Sequence, residues 1–326
     1  MAGQIITFYS HKGGVGRSMA LANIAWIIAS NGHRVLIIDW HIDAPGLHRY
    51  FSPFLADPSL ADSSGLMDLV TEYASQAPLL ARSKAPWPMP DILSYASPID
   101  WEFPGDGGID ILPAGRSGPS YSIAVSAFNW THFYERLNGK AFLSSAAERM
   151  RAEYDYVLID SQPGIGEVSA ICTVEMPDLL VVCCGLSHQN ITGASAIARS
   201  VAAQRRGTNY PIFPVLMRVD WSEKELLEAA RQEAAREFDS VIGHIPDRTQ
   251  YWGEVEFPYT AYYSYVEILC PFVEDSRSSY SLLGSAERLC ARITGGKVTR
   301  TKTLTESERR RGSRAFLADA RYSDIR

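Results

Sequence analysis

A chain of 326 residues, 46% hydrophobic and 21% charged, has the length and apolar content for one large globular α/β domain or two small ones. Its net charge of -6 argues against the whole chain serving as a nucleic-acid binder, although a local basic patch is compatible with it. The five cysteines form no C-x-x-C pair and no Cys/His cluster with metal-ligand spacing. There is no basic-then-apolar leader, and no apolar run of the ~18 to 20 residues that a membrane span needs, so the expectation is a reduced, cytoplasmic protein.

In chain order, short unalternated apolar runs read as strands buried on both faces: 4–10 (QIITFYS), 34–40 (RVLIIDW), 154–161 (YDYVLIDS), 178–185 (DLLVVCCG) and 210–217 (YPIFPVLM). Weaker strands are expected at 108–115 and 240–246. Helical segments fall between them, at 18–31, 65–82, 129–152, 190–206, 223–238 and 279–294, the first of them strongly amphipathic. Ser222 and Glu225 have the spacing of a capping box before the fifth helix. Strands alternating with helices predict an α/β fold, a mostly parallel doubly wound sheet with helices on both faces. Residues 83–107, rich in Pro and aromatic side chains, read as an ordered insertion. Residues 297–326, with the basic cluster Arg309 to Arg311, read as a flexible tail, which leaves 1–296 as one domain.

The turn after the first strand, HKGGVGRS, carries the most specific chemistry. Gly13, Gly14 and Gly16 let the backbone turn its N–H groups onto phosphate oxygens, and the helix starting near Ser18 points its positive end at the same place. A hydroxyl at Ser18 is placed to meet Mg²⁺. Strands ending in Asp39 and in Asp160 deliver two carboxylates to the same sheet edge, where open α/β sheets bind ligands, and Asp160 with its Pro-Gly sequel has the pattern of a Mg²⁺-holding carboxylate.

These residues resemble the deviant Walker A ATPases of the ParA/MinD type, and more closely a variant group in which the loop reads KGGVGR. The resemblance implies a P-loop nucleoside-triphosphatase fold over about residues 4–295, with ATP and Mg²⁺ as cofactors. It implies that His11, Lys12, Gly13, Gly14, Val15, Gly16, Arg17, Ser18 and Met19 cradle the nucleotide and that Ser18, Asp39 and Asp160 serve the metal. Lys12 would reach the partner's phosphates in an ATP-sandwiched homodimer, and Gly164 would sense the γ-phosphate. The chain departs from the pattern twice. Arg17 replaces the usual lysine, and His41 stands where ParA and MinD chains carry the second Asp of D-x-D, with Asp43 the nearest substitute. Arginine keeps the charge but is longer and forked, so phosphate binding should survive better than transition-state positioning. Slow hydrolysis is the expectation.

The same resemblance puts Pro246 and Asp247 beside the base, and Arg218 near a position where relatives use a base-contacting Asn. The aromatic residues at 251, 252, 259, 262, 263 and 265 could stack a base or a partner; ordinary packing is the expectation for them. The overall expectation is an ATP-dependent dimerising switch that regulates a partner or effector protein. Similar chains look like parts of bacterial anti-phage or conflict cassettes. The alternatives are a non-hydrolysing scaffold and a partition or positioning ATPase acting on DNA or membrane, which the acidic balance disfavours.

Overall fold

The computed structural model describes residues 2–83, 90–164, 166–274 and 280–318. The first half contains β1 (Gln4–Ser10), α1 (Arg17–Ser30), β2 (Arg34–Trp40), α2 (Leu66–Ser83), β3 (Ser97–Pro98), β4 (Gly108–Leu112), α3 (Pro119–Ala127), α4 (Trp130–Arg136) and α5 (Gly139–Glu153). There follow β5 (Tyr156–Ser161), α6 (Glu167–Ala170), β6 (Leu179–Gly185), α7 (His188–Gln204), β7 (Ile212–Val219), α8 (Lys224–Phe238) and α9 (Arg248–Glu254). The last elements are β8 (Glu256–Pro258), α10 (Leu282–Ile293) and α11 (Glu306–Phe316). Among the described residues eight strands form one sheet in the order β3-β4-β2-β5-β1-β6-β7-β8, parallel except for the edge pair β3–β4.

Strand residues alternate between two cores. Ile6, Phe8, Val35, Ile37 and Leu158 meet α1, α7, α8 and α10 on one face, while Ile5, Leu36, Ile38, Val157 and Ile159 meet α2, α4 and α5 on the other. This is why the strands read as continuous apolar runs: both of their faces are covered. The doubly wound α/β architecture is the one the sequence predicts, and β1 and β2 begin and end at the predicted residues. Among the described residues no helix is long and apolar enough to cross a membrane.

Four local expectations are corrected. α1 is buried around nearly its whole surface, not along one stripe, because α10 and an aromatic cluster cover its outer side. Trp26 packs against Trp101, Phe103 and Phe272 with ring centroids 4.9–5.1 Å apart, so the described part of the 83–107 insertion serves as a lid on this helix. The weak strand at 240–246 is a series of turns; the sheet edge is taken instead by β8. The helix expected over 129–152 breaks at Asn138, which has φ +58°, into α4 and α5. Ser222 caps nothing on α8, because its N–H and hydroxyl both donate to Asp220.

The segment expected to be a free tail contains a helix over its described part. α11 starts with a full capping box between Thr305 and Glu308 and packs Phe316 against Phe54 and Phe272. A side chain at Gly312 would lie 2.2 Å from the Phe272 ring, so the close approach of helix and ring requires glycine there. In the basic cluster Arg310 pairs with Glu306 and Arg311 lies over the Trp101 ring at 4.4 Å.

Candidate functional site

β1, β2 and β5 end side by side, and the loop from β1 to α1 folds across their ends. Gly14 and Gly16 have φ +74° and +98°, a backbone open to glycine and strained for other residues. Parallel register places Asp39 of β2 directly beside Asp160 of β5, and Phe8 of β1 on the other flank. Sequence distances of more than a hundred residues thus become one sheet edge.

Arg17 is 4% exposed and lies beneath the loop. Its Nε is ion-paired with Oδ1 of Asp160, and its Nη1 donates to the Ser10 hydroxyl at 2.9 Å. Ser18 Oγ donates to the other Asp160 oxygen, Oδ2, at 2.5 Å. The variant residue of the loop therefore grips the strand-end carboxylate. A guanidinium can hold two acceptors at once, which a lysine ammonium does only as a point charge.

Asp39 is fully buried and accepts three backbone N–H groups: His41 at 3.2 Å, Gly46 at 2.9 Å and Leu47 at 3.0 Å. These bonds fold the loop after β2 back on itself and cap the 3₁₀ helix Leu47–Phe54. Burial, and then the neighbouring Asp160, push the Asp39 carboxyl up to about 7, against the pull of the three N–H donors. His41 faces the cavity, and burial followed by the Arg17 charge lowers its pKa, so its imidazole is neutral at neutral pH. Asp43 is exposed and accepts from Gln162 Nε2.

Lys12 Nζ donates to Gln189 Oε1 near the start of α7, and His11 packs against the same helix, where a Cβ on Gly193 would lie 2.3 Å from its ring. Gly164 has φ +84°; its N–H donates to the Ser10 carbonyl at 3.2 Å, and its own carbonyl accepts from Tyr9.

Above the loop is a cavity of about 450 Å³, within the range of small-molecule sites. Its walls are the loop from Gly13 to Met19, then His41, Tyr50, Arg218, and the chain leaving β8 at Pro258, Tyr259, Thr260, Tyr263 and Ser264. Pro246 and Asp247 are not part of this wall. Asp247 caps α9 by accepting the Gln250 N–H, and the cavity wall beyond the last strand is formed by Pro258 to Ser264, because β8 and not 240–246 is that strand. Sequence reading thus missed Tyr50, Thr260 and Ser264, and expected packing of Tyr259 and Tyr263 while allowing that they could stack a base. The only available signal was the aromatic run after residue 257, and aromatic residues are commoner in cores than at ligands.

For a divalent cation, the donor set fits in part. Ser18 and Asp160 converge, while both Asp39 oxygens are taken by backbone N–H groups, and no cluster of three or more His, Cys, Asp or Glu side chains suited to a metal occurs among the described residues. Such a sparse set suits Mg²⁺, which keeps waters and takes its remaining oxygens from phosphates. Ser18 and Asp160 would hold it; Asp39 has another employment.

Residues 6–256 match the CobQ/CobB/MinD/ParA nucleotide binding domain family, CbiA. The chain belongs to this family. A probable plasmid-partitioning protein ParA from Thermus thermophilus is 25% identical over 178 residues, which is 55% of this chain and 44% of the relative, so the match spans less than half of that protein's length. In overall structure the chain is similar to MinD of Aquifex aeolicus, at TM-score 0.56 and 15% identity, with 92% of this chain and 100% of that one covered. It is similar too to a putative plasmid partition protein of Borrelia burgdorferi bound to AMPPNP (TM-score 0.55, 16% identity, 91% and 100% covered). A third likeness is MinD of Pyrococcus horikoshii complexed with Mg-ADP (TM-score 0.54, 16% identity, 89% and 96% covered). At these identities the structural likeness establishes the ParA/MinD type of P-loop fold, and the glycine turn lies within the residues matched to the nucleotide binding domain.

Proposed function

We propose that this family member is an ATP-binding switch that dimerises around nucleotide and Mg²⁺, hydrolyses ATP slowly, and regulates a partner protein. The observation that carries the reading is the buried pair between Arg17 and Asp160. With Nε on Asp160 and Nη1 on Ser10, the guanidinium is anchored below the loop and has little freedom to follow charge as it develops on a transferring phosphoryl group. Phosphoryl transfer depends on such positioning almost entirely. Neutral His41, in place of a fixed negative charge, gives an attacking water a poorer orienting group. Mg²⁺, when bound, would offset the phosphate charge; the chain's part is to present Ser18 and Asp160 to it.

Dimerisation rests on Lys12. Its ammonium is outside the cavity wall, held among the described residues by Gln189, and is therefore placed to reach a second copy. A non-hydrolysing scaffold is the second reading, favoured by the same Arg17–Asp160 pair. Action on DNA or a membrane has less support: two arginines of the basic cluster are engaged by Glu306 and Trp101.

ATP affinity and ATP turnover, measured on one preparation beside Ser18→Ala, separate the readings. Binding with slow turnover above the variant's supports the switch, binding with turnover equal to the variant's supports the scaffold, and no binding removes both. Solution mass with and without ATP·Mg²⁺ tests the dimer, which Lys12→Ala should abolish.

A further inference from the structure

Arg218 is the one non-glycine residue of the cavity wall with a left-handed backbone, at φ +59°. It lies between Leu216 and Val219, where the pairing of β7 with β8 slips register. The bulge turns the arginine outward while Met217 and Val219 stay buried. A strained backbone at a bulged strand end holds its side chain in one direction, and strain of this kind collects at ligand sites.

The guanidinium is held from two sides. Nη1 donates to the carbonyl of Gly14, in the middle of the phosphate loop, at 3.1 Å, and the guanidinium carbon lies 4.9 Å from the centre of the Tyr259 ring. Arg218 has no carboxylate partner among the described residues, and no Asp or Glu is among the residues that line the cavity. Arg17, the other arginine of the wall, is neutralised by Asp160. The uncompensated positive charge of the cavity is therefore that of Arg218, and it sits against the loop.

Resting on the nucleotide reading above, we infer that Arg218 binds the phosphate chain of the nucleotide, not its base. Fixed to Gly14 and Tyr259, it supplies the mobile-phosphate contact that Arg17, tied to Asp160, leaves unfilled. Its remaining N–H groups are donors only, matched to phosphate oxygens. Tyr259 packs against the guanidinium in the cavity wall.

The test compares binding of ATP, inorganic tripolyphosphate and adenosine by the full chain with arginine, glycine or lysine at position 218. Arg218→Gly removes the side chain and suits the positive φ, so it should melt no lower than the wild type. It should bind ATP and tripolyphosphate about tenfold or more weakly, with adenosine changed by less than about twofold, and Arg218→Lys should recover part of the loss. Equal weakening for ATP and adenosine would assign Arg218 to the base side, and unchanged ATP binding would remove it from the site; either overturns the inference and leaves the nucleotide reading standing. A wild-type chain that binds none of the three probes overturns both.

Discussion

The two ends of one sheet edge solve the same problem in opposite ways. At the ends of β1, β2 and β5 the charged groups are buried and satisfy one another: Arg17 with Asp160, Ser18 with Asp160, Asp39 with the backbone of its own loop. At the ends of β7 and β8 the groups are more exposed, with Tyr259 44% exposed and Arg218, on a strained bulge, held by Gly14 and Tyr259 but by no carboxylate among the described residues. The first region is a rigid floor whose chemistry is already committed. The second is an open wall that is free to meet a ligand. On the proposed reading, the contrast sets a committed floor under the phosphates beside a wall whose arginine is still available to them.

Substitutions should respect that difference. The largest effect is expected from Asp160→Ala, which leaves the Arg17 charge buried without a partner and should lower unfolding stability by about 3–5 kcal/mol in chemical denaturation. Next comes a pH dependence from the same floor. Because the folded-state pKa of Asp39 is raised, to about 7, the native state holds a proton that the unfolded chain releases near its ordinary value. The contribution to stability is full below the unfolded pKa and falls as pH rises from about 4 to 7, by at most about 4 kcal/mol, then is flat. Denaturation midpoints across that window measure it. At the other end of the edge, Tyr259→Ser should change stability by less than about 0.5 kcal/mol, because an exposed ring buries little area. A loss comparable with that of Asp160→Ala would erase the distinction between floor and wall.

The legibility of the sequence follows the same division. The floor is written in local patterns: an apolar strand ending in Asp, three glycines and a Ser before a helix. These identify the loop and both carboxylates without any knowledge of long-range contacts. What Asp39 does with its oxygens was not legible, because it depends on the chain returning at Gly46 and Leu47. The wall was misplaced for a different reason. The IP at 245–246 marks no strand end here, and the residues that replace it, Pro258 to Ser264, follow a three-residue edge strand too short to give a period. α11 went unread although Thr305 and Glu308 spell its capping box, since a helix this polar looks like a solvated tail until Phe316 finds Phe54 and Phe272.

On the proposed reading, the anchoring of Arg17 to Asp160 and Ser10 permits nucleotide binding and slows its hydrolysis. Steady-state ATP turnover of Arg17→Lys at saturating ATP·Mg²⁺, beside the wild type, tests this most directly. A lysine meets Asp160 and Ser10 only as a point charge on a flexible stem, without the guanidinium's fixed fork, so turnover should be faster by about tenfold, equivalent to about 1.4 kcal/mol of barrier, with ATP affinity changed less than turnover. Equal or slower turnover in a fully bound, folded Arg17→Lys protein would contradict it.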